Sequence, residues 1–192
     1  MAGPCTIICM IDLSVYRPRV AEILALDGGG ERLMPLASGT CSSPEAYRQL
    51  KTCTPRELFA GARAPEAAMA GLFLYFSCLD EAHTLAQEVE TPDGSFWHGI
   101  MHRQEPDPGN AGYWFRRVGK HAIFPELRDA AQALGFRSGP AWDALAFIDA
   151  CEEARRQPGS EQERLLQKVQ RAEWQLLFRH CAQGVSQEFV RK

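Results

Sequence analysis

Four of the five histidines, His83, His98, His102 and His121, fall within 39 residues of one another. Two of them stand four apart inside the segment Ser95–His121, SFWHGIMHRQEPDPGNAGYWFRRVGKH. On a helix over 96–104, at about 100° per residue, His98 and His102 share one side and Phe96, Trp97, Ile100 and Met101 the other. Two imidazoles one helical turn apart have the spacing of two ligands to a single metal ion. The zincin pattern needs Glu directly after the first His; Gly99 stands there, which excludes that metalloprotease chemistry. Glu105 extends the same stripe as a third ligand, although Pro106 after it pulls it off the helix axis. Asp80 and His83 complete the candidate metal set.

A second group of residues suits an anion. Arg116 and Arg117 can each hold a carboxylate or phosphate at two points, with Asn110 and Asp107 nearby on the same hairpin. Each of these residues also has a structural use. Asp107 is a natural N-cap for the next helix, and either arginine can pair with Glu105 or Asp107. His121, after Gly119, and His180 both read as helix-end residues favoured by the dipole.

The elements that must position these groups are helical. Thr54-Pro-Arg-Glu57 and Ser160-Glu-Gln-Glu163 are capping boxes. The expected helices are 14–26, a short one from Thr54, 65–89, 96–104 capped by Ser95, 108–118, 125–134, one from Ser138-Gly-Pro140 to about Arg156, and one from Ser160 to Ala182. The 65–89 helix is the most apolar and is expected at the centre. Met69, Leu72, Phe76, Asp80, His83 and Gln87 would form one of its stripes, apolar above and polar below. Asp27-Gly-Gly-Gly30 is a stop signal, since no GK[ST] follows to make a phosphate loop. Residues 27–45 read as an irregular loop, Pro92-Asp93-Gly94 as a turn, and 184–192 as a frayed tail. The fold class is therefore all-α: a single domain over 1–192, a compact bundle of helical hairpins around the central helix.

At 45% hydrophobic and 23% charged residues the composition is that of a globular chain. A net charge of −3 and no basic run argue against a nucleic-acid partner. The longest apolar run, Ala67–Leu79, is too short for the roughly 20 residues a membrane span needs. Seven scattered cysteines without a CxxC pair suggest reduced thiols and a cytoplasmic location, with Cys78 and Cys151 as small core residues.

Two resemblances add to this. His102–Gly119 resembles the helical hairpin of tetratricopeptide-type repeats, with Ala111 and Trp114 or Phe115 packing on the preceding helix; only one copy is visible, and a solenoid needs about three. The segment Trp97–His121 is similar to a motif WHxxxHRxExDxxNAxYWFRRVGxH found in a family of bacterial and fungal proteins of about this size. The stretches AGLFLYFSCLDEAHTLAQ (70–87) and WDALAFIDACE (142–152) share that likeness. The resemblance implies no reaction and gives no residue a catalytic role.

Three functional readings stay open at this level. One is a pocket of histidines, carboxylates and arginine that binds one divalent ion (zinc, iron, nickel or manganese) or a small anionic ligand; its chemistry, if any, would be metal-assisted hydrolysis or oxidation. Another is a hairpin module that binds a peptide or partner protein. The third is a purely structural polar knot.

Overall fold

The structure is a computed structural model that describes residues 11–137 and 139–184. Among these the chain forms ten α-helices and no strand, as the sequence predicts for an all-α fold. They are α1 (Pro18–Ala25), α2 (Pro44–Lys51), α3 (Pro55–Leu58), α4 (Pro65–Tyr75), α5 (Leu79–Gln87), α6 (Pro92–Gln104), α7 (Pro108–Val118), α8 (Phe124–Leu134), α9 (Ala144–Arg155) and α10 (Glu161–Ala182). None is long and apolar enough to cross a membrane. The apolar run at 6–10 and the tail beyond Gly184 lie outside the described residues.

Proline in the first turn opens seven of these helices, where its missing N–H is no loss. Three expected boundaries are corrected, two of them by this rule. Helix α6 starts at Pro92, not after Ser95, because the Thr91 hydroxyl accepts from the Gly94 amide. Pro92-Asp93-Gly94 is thus a first helical turn, and Asp93 rides on α6. Helix α9 starts at Ala144, where the Asp143 carboxylate accepts from the amides of Leu145 and Ala146 at 3.0 Å. Ser138 falls outside the described residues. Helix α2, capped by Ser43, takes over the end of the expected loop 27–45.

The largest correction concerns the central helix. It is two helices, because Ser77 takes a left-handed conformation (φ 58°) between Tyr75 and Leu79. The buried end of α4 is captured from another part of the chain: the Ser42 amide donates to the Phe76 carbonyl at 2.8 Å, and the Arg32 guanidinium donates to the Ser77 hydroxyl. The stripe from Met69 to Gln87 therefore does not exist as one face. The Gly28–Gly30 turn is a stop, as expected, with φ positive at all three residues. The Tyr75 hydroxyl sits in its mouth, accepting from the amides of Gly30 and Arg32 and donating to the Asp27 carbonyl.

Two helices have almost no wet side. In α4, residues Ala67 to Tyr75 are all buried. A Cβ on Gly71 would come within 2.6 Å of the Trp97 ring, so only glycine lets α6 approach this closely. The Trp174 indole donates to the Gly71 carbonyl at 2.7 Å and ties α10 to the same point. In α6, residues Gly94 to Met101 are buried, as are Arg103 and Gln104. It pairs antiparallel with α7, Gly99 lying against the Phe115 ring.

A fully buried ion pair locks α6 to α10. Arg103 is 1% exposed and Glu173 0%. The guanidinium donates with both terminal nitrogens to the Glu173 carboxylate, and Nη2 also reaches Gln170 Oε1 at 3.3 Å. Its plane lies over the Phe147 ring, 4.5 Å from the centroid. Burial works against the charge, but the facing carboxylate outweighs it and raises the Arg103 pKa. Gln170 Nε2 then donates to the carbonyls of Met34 and Pro35, which fastens the irregular segment 31–43 over the core.

Removing one partner of such a pair strands the other charge. Arg103→Met should lower the unfolding free energy by about 3–5 kcal/mol, read from urea melts. The double variant Arg103→Met/Glu173→Leu should recover most of that loss. A double variant no more stable than the single one would contradict this account.

Candidate functional site

Helices α5 and α6 bring three imidazoles together. His98 and His102, one turn apart on α6, lie nearly parallel with centroids 5.6 Å apart. His83 comes from α5 and stands edge-on to both, at 4.7 Å from His98 and 5.6 Å from His102. One ring nitrogen of each lies within 4.8 Å of the other two. The fourth wall is the Trp114 indole from α7, stacked flat on His98 at 4.1 Å and 4°. His98 is 1% exposed, and 12% of the His102 side chain is. The histidine side of α6 therefore faces inward, not into solvent.

Protonation is set by the neighbours. Glu105 lies 2.8 Å from Nδ1 of His102, which places the Nδ1 proton towards the carboxylate and leaves Nε2 as the nitrogen the carboxylate does not engage. Buried Nδ1 of His98 has no hydrogen-bond partner among the described residues, a condition that costs about 1–3 kcal/mol. Burial first, then the charges of His83 and His102, push the His98 pKa down to about 4. The ring is thus neutral near pH 7, the form in which imidazole binds a metal.

The other residues singled out in the sequence lie elsewhere. Asp80 sits exposed in the first turn of α5, lining a cleft with Lys51 and Met69, and is not part of the histidine group. Glu105 has left the helix and acts through His102; it does not join the group itself. Asp107 caps α7, accepting from the Asn110 amide and side chain at 3.0 and 2.8 Å. Asn110, Arg116 and Arg117 are on the exposed side of α7. Of these, Arg117 adjoins the site, its guanidinium 5.4 Å from the Trp114 ring centroid.

A second group went unread. Asp93 from α6 meets His121 and His180, whose Nε2 atoms lie 2.9 and 3.4 Å from one carboxylate oxygen. Neither histidine is simply the helix-end residue that its position suggested. Burial favours the neutral carboxyl of Asp93, but the His121 hydrogen bond and the two nearby imidazole charges outweigh it and lower its pKa. Burial lowers that of His180. Nδ1 of His121 accepts from the Ile123 amide, so its Nε2 carries the proton donated to Asp93. No buried side-chain atom of this group lacks a hydrogen-bond partner among the described residues, whereas Nδ1 of His98 in the first group does. Its only signal in the sequence was Asp93 on a helix, concealed by the turn assigned to Pro92-Asp-Gly94.

No protein-family model matches the chain, and neither a curated protein nor a solved structure shows significant similarity to it.

The His98 shift gives a pH dependence. In the unfolded chain His98 takes up its proton near its ordinary value of 6.5, but in the folded chain only near 4. Between these values the unfolded state binds more protons, so acidification favours unfolding. The urea midpoint of metal-free protein should fall as pH goes from about 6.5 to 4, with His180 adding in the same direction. His98→Phe, which keeps the stack on Trp114, should show a shallower fall. Equal slopes in the two proteins would contradict the assignment.

Proposed function

We propose that the protein binds one divalent transition-metal ion through His83, His98 and His102. Positions opposite the three imidazoles would stay open to water or a small anionic ligand. The observation that carries this reading is the unpaired, buried Nδ1 of His98 beside a His102 already oriented by Glu105. The His98 ring, neutral near pH 7, stands with His83 and His102 so that one nitrogen of each lies within 4.8 Å of the other two. In a tetrahedral site with bonds near 2.0–2.1 Å, ligand nitrogens sit about 3.4 Å apart. Small side-chain rotations bring nitrogens now within 4.8 Å to that spacing.

Three nitrogen ligands and no carboxylate suit zinc, nickel or iron better than manganese, which prefers oxygen. When bound, such an ion supplies Lewis acidity and lowers the pKa of its water towards 7. This is the basis for metal-assisted hydrolysis or oxidation as the reaction class. The chain's own part is to hold the rings: Trp114 fixes the plane of His98, Glu105 fixes the tautomer of His102, and Arg117 lends a positive rim to anions. The exposure of Tyr113, Arg116 and Arg117 on the outer face of α7 favours a second reading, a hairpin module that docks a peptide.

Elemental analysis and zinc calorimetry on protein purified without a histidine tag separate the two. One ion should be held at this site; His98→Ala or His102→Ala should abolish that binding, and Glu105→Gln should weaken it by about 10–100-fold. Zinc affinity unchanged in folded His98→Ala, or no binding in the parent, sinks the metal reading and leaves the docking module.

A further inference from the structure

A different pair of side chains, away from the histidines, carries a covalent proposal. Cys41 and Cys78 are 37 residues apart in sequence, and their Sγ atoms are 3.0 Å apart. A disulfide needs about 2.05 Å, so a closure of roughly one ångström, within reach of side-chain rotation, would join them. The backbones on either side are already tied. Ser42, next to Cys41, donates to the carbonyl of Phe76, two residues before Cys78. The Cys78 amide is itself held by the Phe73 carbonyl at 2.9 Å.

The surroundings divide the roles. Cys41 is half-buried and can be reached from solvent, while Cys78 is 5% exposed. Burial is the main cause that pushes the Cys78 thiol far above its ordinary range, with Cys41 adding to it. Arg32, bonded to the Ser77 hydroxyl at 3.2 Å, places a positive charge near both sulfurs. Of the other described cysteines, Cys151 and Cys181 are fully buried, and neither they nor Cys53 is within hydrogen-bonding reach of this pair.

We propose that Cys41 and Cys78 form a modification site that a hydroperoxide converts reversibly to a disulfide. The Cys41 thiolate attacks one peroxide oxygen, the O–O bond breaks, and the leaving hydroxide takes up a proton as water. The Cys78 sulfur then attacks the resulting sulfenic acid at sulfur. The S–O bond breaks and a second water leaves with the Cys78 proton. Two thiols and one hydrogen peroxide become one disulfide and two waters, the two electrons passing from sulfur to oxygen. The bond would staple the segment before α2 to the break between α4 and α5, at the residue that precedes the helix carrying His83. The proposal stands on this sulfur pair alone and does not require a metal at the histidines.

The test treats the full-length reduced protein with hydrogen peroxide, blocks remaining thiols with N-ethylmaleimide, and maps peptides by mass spectrometry. The expected product is one cross-linked peptide pair containing Cys41 and Cys78, absent in Cys41→Ser and reversed by dithiothreitol, together with a raised melting temperature. In Cys78→Ser, peroxide should leave a dimedone-reactive sulfenic acid on Cys41. Cys41→Ser, at a partly exposed position, serves as control should the Cys78 variant fold poorly. Full alkylation of both thiols after peroxide, or a cross-link from either to a different cysteine, would overturn the proposal.

Discussion

A guanidinium buried almost completely from water must keep its carboxylate, and that requirement fixes the orientation of α6. Once Arg103 is held by Glu173 through both terminal nitrogens, the helix cannot rotate about its own axis. At about 100° per residue the remaining side chains then have assigned directions. His98 and His102 point towards α5 and the Trp114 indole, while Trp97 points at Gly71. The ion pair does no chemistry in this account. It sets the direction in which the chemistry-bearing side must look.

Because α6 is buried on nearly every side, its polar groups each need a partner drawn from another element. Arg103 finds one on α10, and Asp93 finds two imidazoles, one after α7 and one on α10. His102 is served by Glu105, just past its own helix. Four buried side-chain nitrogens of α6 lack a hydrogen-bond partner among the described residues, on Trp97, His98, Arg103 and Gln104. Of these only Nδ1 of His98 belongs to an imidazole, the kind of nitrogen that can ligate a metal. Polar interiors in proteins are usually paired, so an unpaired nitrogen on a ring that meets two other imidazoles supports the proposed metal site. The contrast with Asp93, His121 and His180 is the useful one. Both groups have the composition of a metal site, but only the first contains a buried ring nitrogen without a partner among the described residues.

What could be read in the sequence was what depends on near neighbours. The i, i+4 spacing of His98 and His102, the capping box at Thr54, the Ser160 cap of α10 and the glycine stop at 28–30 are all local, and they stand in the structure. The exception is the second box, which is not closed, because the Glu163 carboxylate accepts from the Gly159 amide. The features that were not legible depend on distant parts of the chain. The break at Ser77 is made by Ser42 and Arg32, more than thirty residues upstream. Arg103 and Glu173 are 70 residues apart, so neither looked unusual in its own helix. His83 was picked out by nearness in sequence; its convergence on His98 depends on α5 restarting in a new direction after that break. Asp80, the second residue of α5, was carried away from the group by the same restart.

X-ray absorption at the zinc edge of tag-free protein loaded with one equivalent tests the central claim most directly. The account predicts three imidazole nitrogens at about 2.0–2.1 Å, with the imidazole signal collapsing in His98→Ala. A first shell of oxygens alone, or a nitrogen shell unchanged by His98→Ala, would contradict it.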